Sequence, residues 1–170
     1  MVDASNPTGA GDPDNLGRFV QAQQGVYQHA LAEIRNGRKR SHWMWFIFPQ
    51  FEGLGFSSTS RLYAIKSVAE ARAYLDHPIL GPRLFECAEA VLSVQGKSAS
   101  EIFGSPDDVK LRSCATLFAQ MAPATPVFDR LIEAHFQGQP DGKTLQLLGE
   151  AGNQDCTKGP TVEGQEEKYQ

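Results

Sequence analysis

The sequence has no pair of cysteines at CxxC spacing. Its three thiols, Cys87, Cys114 and Cys156, are an odd number without a cysteine/histidine ligand pattern, which argues against a disulfide framework and a structural zinc site. Also missing is any segment near the ~18 apolar residues that cross a bilayer. The opening Met-Val-Asp-Ala-Ser-Asn-Pro-Thr-Gly lacks the charged and apolar regions of a secretory signal, so the expected setting is cytoplasmic, with no membrane contact. Excess positive charge is absent too. A net charge of −4 and a pI near 5.5 leave nucleic acid a disfavoured partner unless a local basic patch attracts it. No Walker lysine spacing, Rossmann glycine pattern, Gly-x-Ser-x-Gly or His-Glu-x-x-His occurs, which sets aside nucleoside-triphosphate, classical dinucleotide, serine-hydrolase and zinc-enzyme readings. No metal site or resident cofactor is implied.

What remains is enough apolar matter for one core. The chain has 170 residues, 41% of them hydrophobic, with 10 Phe, 4 Tyr and 2 Trp, the size of a single domain. Residues 1–14 are rich in Gly, Pro, Asp and Asn, and residues 150–170 in Gly, Gln, Glu and Lys. Such composition buries little surface and reads as a disordered tail at each end, leaving a domain over 15–149.

Within that domain the period is helical. Phe19, Gln23, Val26, Tyr27, Ala30, Leu31 and Ile34 recur at three- and four-residue spacing between a start at Asp14 or Asn15 and a stop at Gly37, which predicts one first helix. The run Trp43-Met44-Trp45-Phe46-Ile47-Phe48 is apolar throughout, so periodicity cannot separate buried strand from short helix; helix is preferred because the neighbours are helical. Residues 52–56 read as a loop, and 57–65 contain a short helix. Ser67 with Glu70 matches a capping box for a helix ending before His77-Pro78. Another helix begins near Leu80 or Pro82 and stops at Gly96. Ser105-Pro106-Asp107-Asp108 starts one that Pro123 ends. Thr125-Pro126 starts the next, which ends at Gly138, and Asp141 caps a last short helix through Leu148. The sum is a mainly α, compact array of about six or seven helices with little or no sheet.

The block Arg38-Lys39-Arg40-Ser41-His42-Trp43-Met44-Trp45-Phe46-Ile47-Phe48-Pro49-Gln50 resembles a bacterial family known as domain of unknown function 1810 (DUF1810). The resemblance continues through Gly53-Leu54-Gly55, Tyr63-Ala64-Ile65, Glu70-Ala71, Tyr74-Leu75-Asp76-His77-Pro78 and Leu80-Gly81-Pro82-Arg83-Leu84. It resumes at Asp108-Val109-Lys110-Leu111, Thr116-Leu117-Phe118 and Asp141-Gly142-Lys143-Thr144-Leu145. The resemblance implies no settled activity. Members sometimes carry the label calpastatin, a long disordered inhibitor that folds on its partner; the aromatic content here requires a folded core instead. A fainter similarity to NADAR domains, at Glu70-Ala71-Arg72 and at Phe128 with Gly138-Gln139-Pro140-Asp141, points towards ADP-ribose and N-glycoside chemistry.

Several groups of residues fit that direction, and each also fits a structural role. Arg38, Lys39, Arg40 and His42 beside Trp43 and Trp45 combine cations with aromatic faces, as phosphate binding with base stacking requires; the cations would equally complement the C-terminal end of the first helix. Gln50 adds a polar group to this block, and Tyr63 and Arg83 lie in the matching blocks downstream. His77, with Arg83 and Glu86 near it in sequence, suits a general base or a helix stop. Asp108 suits water activation or a ribose contact, with Lys110 beside it and Arg112 and Thr116 on the same helical face. Helix capping explains Asp107 and Asp108 as well. Asp141 with Thr144 is either an acidic pocket group or a cap. Gly53, Gly55 and Ser57, Ser58 and Ser60 would cradle an anion. The leading expectation is a small-molecule-binding protein or enzyme for a nucleotide or ADP-ribose-like ligand, at the Arg38–Gln50 block. The alternative is a noncatalytic module that meets a protein partner through a basic and aromatic surface.

Overall fold

The computed structural model describes residues 11–157, with side chains described for 11–151. Of the expected tails at 1–14 and 150–170, residues 1–10 and 158–170 lie outside the described residues. Among those described, ten helices follow one another: α1 (Gly17–Gln23), α2 (Tyr27–Arg35), α3 (Met44–Ile47), α4 (Ser58–Leu62), α5 (Val68–Asp76), α6 (Leu80–Ser93), α7 (Ala99–Phe103), α8 (Asp107–Met121), α9 (Val127–Phe136) and α10 (Gly142–Thr157). No strand occurs among them; one isolated parallel bridge joins Phe51 to Ile65. The mainly helical reading is therefore right, and the count of six or seven is too low.

Two elements account for much of that difference. The single first helix is in fact α1 and α2, broken at Gly25, whose φ of +73° belongs to the left-handed region that glycine enters without a Cβ clash. Both halves bury the same side, Phe19 and Gln23 before the break and Tyr27, Ala30 and Ile34 after it, so the apolar spacing runs through it undisturbed. The second is α7, held by a complete capping box. Ser98 Oγ accepts from Glu101 N at 3.1 Å and Glu101 Oε1 accepts from Ser98 N at 2.8 Å.

Other starts are close to the expected ones with altered partners. Ser67 Oγ accepts from Glu70 N at 2.9 Å, but the Glu70 carboxylate accepts from Lys66 N at 2.9 Å and pairs with Arg18 at 2.7 Å, so half of the predicted box is absent. α8 begins after Pro106, not at Ser105, and no side chain caps it; Asp107 and Asp108 fill its first turn. Asp12, within the expected N-terminal tail, accepts from Leu16 N at 2.7 Å and Gly17 N at 2.9 Å. α10 runs past the expected boundary at 149.

α8 lies at the centre. Leu111 and every residue from Ser113 to Ala119 are buried, which is the pattern of a helix surrounded on all sides. α5, α7, α9 and α10 pack against it. The core aromatics Phe19, Tyr74, Phe118, Phe128 and Phe85 form a chain of rings with successive centroids 5.1–5.9 Å apart. Cys87 and Cys114 sit in this core as expected; burial pushes the Cys87 thiol up to about 12 and raises Cys114 well above its ordinary value. The fold thus fixes the α2–α3 segment and the α7–α8 corner as neighbours, because Lys39 N donates to Ile102 O at 2.7 Å.

Candidate functional site

The cationic segment between α2 and α3 is organised by an acid beneath it. After Gly37 turns the chain at φ +77°, the backbone N–H groups of Arg40 and Ser41 donate to Glu33 Oε1 at 2.8 and 3.2 Å. Ser41 Oγ donates to Glu33 Oε2 at 2.7 Å, and the Trp43 indole N–H donates to Oε1 at 2.8 Å. Exposed His29 approaches the same carboxylate at 2.9 Å. Burial on its own pushes the Glu33 carboxyl up, but the donors from Arg40, Ser41 and Trp43 outweigh it and hold the pKa at about 2. Glu33 therefore remains a buried carboxylate at neutral pH.

That arrangement sends the cations of the segment in different directions. Lys39 turns inward: its ammonium is 2.9 Å from Asp107, donates to Ser41 O at 2.6 Å and lies 5.0 Å from the Trp43 ring centroid. Lys110 reaches the same Asp107 at 3.4 Å and lies 4.9 Å over the Trp45 ring. Four residues expected in the site, Lys39, Trp43, Trp45 and Lys110, thus meet around Asp107. Trp43 is fully buried and belongs to the core. Trp45 is half-buried, and its indole N–H finds no acceptor among the described residues. Arg38, Arg40 and His42 are exposed.

On the outer side of Lys39 lies an open cleft of about 610 Å³, lined by Arg38, Lys39, Gly96, Lys97, Ser100, Glu101, Ile102, Phe103 and Gly104. That volume is within the range of small-molecule sites. Its wall carries three cations and one carboxylate. Lys97 is fixed at the rim, donating from Nζ to Gly37 O at 3.1 Å. Lys97, Ser100 and Glu101 carry no chemical motif in the sequence; the signal that could have placed them was the Ser98–Glu101 capping box, which brings α7 up to the basic segment.

The other expected residues lie elsewhere. His77 Nδ1 accepts from Ile79 N at 3.1 Å and Leu80 N at 3.3 Å, capping the entry to α6. Burial pushes its imidazole pKa down, opposed by nearby Asp12. Asp108 Oδ1 accepts from Val109 N at 2.8 Å. Arg83 donates to Gln23 Oε1 at 3.2 Å and lies 4.6 Å over the Tyr27 ring. Tyr63 packs on Phe19 and Phe46. Gln50 accepts from Ile65 N through its backbone carbonyl at 2.9 Å. Thr116 is buried and accepts from Asp141 N at 2.9 Å, while Asp141 Oδ2 accepts from Thr144 N and Oγ at 2.9 and 2.6 Å, capping α10. Ser57 caps α4 through Ser60 N at 3.1 Å, which uses the hydroxyl offered as an anion cradle. Among the described residues no cluster of three His, Cys, Asp or Glu side chains stands close enough to hold a metal ion, and no helix is long and apolar enough to cross a membrane.

Comparison with known proteins bears on the same segments. The family model described as "Protein of unknown function (DUF1810)" matches residues 13–148. The chain belongs to the DUF1810 family. A solved DUF1810-like structure, the conserved hypothetical protein Rv1873 from Mycobacterium tuberculosis, is similar over 81% of this chain and 99% of its own, with 51% identity and a TM-score of 0.80. No curated protein matches the chain. Membership in DUF1810 fixes relatives and fold, and leaves function to the chemistry of the cleft.

Proposed function

We propose that the protein binds a phosphorylated small molecule of the nucleotide or ADP-ribose class in the cleft between the α2–α3 segment and α7. The observation that carries this reading is the convergence of Arg38, Lys39 and Lys97 on one open cleft of about 610 Å³. Cationic side chains of this kind supply charge-assisted hydrogen bonds to phosphate oxygens. Their clustering on a chain of net charge −4 runs against the average field of the molecule. Lys39, with its side chain only 9% exposed and its ammonium paired to Asp107, forms the floor, and Arg38 and Lys97 offer their charge at the rim.

Binding is favoured over turnover. His77, expected as a general base, accepts from backbone N–H groups at the entry to α6, Asp108, expected to activate water or contact a ribose, accepts from Val109 N in the first turn of α8, and neither lines the cleft. Glycosidic cleavage by the usual route takes a pair of carboxyl groups, and Glu101 is the single carboxylate among the residues that line this cleft. The interaction-module alternative loses one of its two aromatic anchors, because Trp43 is in the core.

The test is a thermal-shift titration of the full chain with ADP-ribose, AMP and NAD, repeated on the Arg38→Ala, Lys97→Ala double variant. Ligand at about a hundred times its Kd adds ~2.7 kcal/mol to stability. A rise in Tm in the parent that disappears in a still-folded double variant is expected. An equal rise in both proteins would place binding outside this cleft.

A further inference from the structure

The cleft's composition narrows the ligand further, on the reading that it binds a phosphorylated small molecule. A site that recognises a nucleobase offers it an aromatic face for stacking. Here the aromatic side chain among the lining residues is Phe103, which is 5% exposed. Its ring is committed edge-on to Trp43, with centroids 6.3 Å apart, and to Phe48 at 6.0 Å. Trp43 behind it is fully buried. The remaining wall is polar. Arg38 and Lys97 present donors, Ser100 a hydroxyl, and Glu101 a carboxylate whose Oε1 accepts from Ser98 N, leaving Oε2 to accept from a ligand hydroxyl. Gly96 and Gly104, at φ +79° and +75°, have no side chain, and a Cβ built on either would meet no atom within 4 Å, so ligand atoms can approach the backbone there.

We infer that the cleft reads the sugar-phosphate portion of its ligand and does not read a base. Phosphate oxygens take the cations at the rim, while sugar hydroxyls, which both donate and accept, match Ser100 and Glu101. Any base carried by the ligand extends into solvent and adds little affinity.

The inference is tested by calorimetric titration of the full chain with ribose 5-phosphate, AMP, adenosine and inorganic phosphate. The expected result is that ribose 5-phosphate and AMP bind within about threefold of each other, ribose 5-phosphate binds at least about fivefold more tightly than inorganic phosphate, and adenosine gives no binding. Arg38→Ala, Lys97→Ala should weaken both sugar phosphates by at least about tenfold. Arg130→Ala, which alters an exposed cation on α9 paired with Glu89, should leave them unchanged. AMP binding more than about tenfold tighter than ribose 5-phosphate, or any binding of adenosine, would overturn the inference and leave the proposed phosphate site standing. Inorganic phosphate matching ribose 5-phosphate would also overturn it, since the sugar would then contribute nothing. Silence from all four compounds, or full binding by the double variant, would overturn the proposed site itself and this inference with it.

Discussion

At the scale of single residues, Glu33 has the most to do with how the basic segment is held. One carboxylate accepts from Arg40 N, Ser41 N, Ser41 Oγ and the Trp43 indole, so Glu33→Ala would strand several partly buried donors at once. A cost of roughly 3–5 kcal/mol follows from leaving buried partners unpaired, read as a drop in the urea midpoint. The pH dependence has a definite sign. The folded pKa of about 2 lies below the ordinary 4.5, so this stabilisation is fully present above pH ~4.5 and is lost as pH falls from there through 2. Stability measured from pH 6 to pH 2 should fall less steeply in Glu33→Gln than in the parent. Equal slopes would remove Glu33 as the cause. The residue was not legible as a functional group in the sequence because its donors lie seven to ten positions away, around a turn that only Gly37 announces.

At the scale of elements, the α5–α6 corner is the tightest joint. A Cβ placed on Gly81 would lie 2.1 Å from Leu75 O, and this obstacle is backbone, which cannot rotate aside. Gly81→Ala should therefore destabilise the fold by on the order of 2–3 kcal/mol or more, measurable by thermal unfolding; an unchanged Tm would contradict the packing described. Most elements were readable from periodicity and punctuation. The Asp141 cap, the Ser67 start and the helical state of residues 44–47 are where the sequence places them. The break at Gly25 was hidden because α1 and α2 share one buried side. His77, Asp108 and Asp141 illustrate the converse difficulty: side chains suited to chemistry are equally suited to helix ends, and only geometry separates the two uses.

At the scale of the whole molecule, the buried helix α8 ties the separate parts together. Its first turn supplies Asp107 and Lys110 to the basic cluster, its middle fills the core, and Thr116 farther along it holds the Asp141 turn. The cationic block at 38–40 was visible in the sequence, but its partners Lys97, Ser100 and Glu101 come from an element about sixty residues later, joined to it through Lys39 N and Ile102 O. No periodicity along the chain encodes such a juxtaposition. Rv1873, with 51% identity over 99% of its own length, carries the same DUF1810 fold, so it offers an independent setting for the same question.

The most direct test of the cleft as a binding site is an amide-resolved NMR titration of the full chain with ADP-ribose at moderate salt, where surface charge is only partly screened. The account predicts saturable shifts concentrated at Gly37–Lys39, Gly96–Lys97 and Ser100–Gly104, with the amides of α9 unmoved. Shifts centred elsewhere, or none at millimolar ligand, would contradict it.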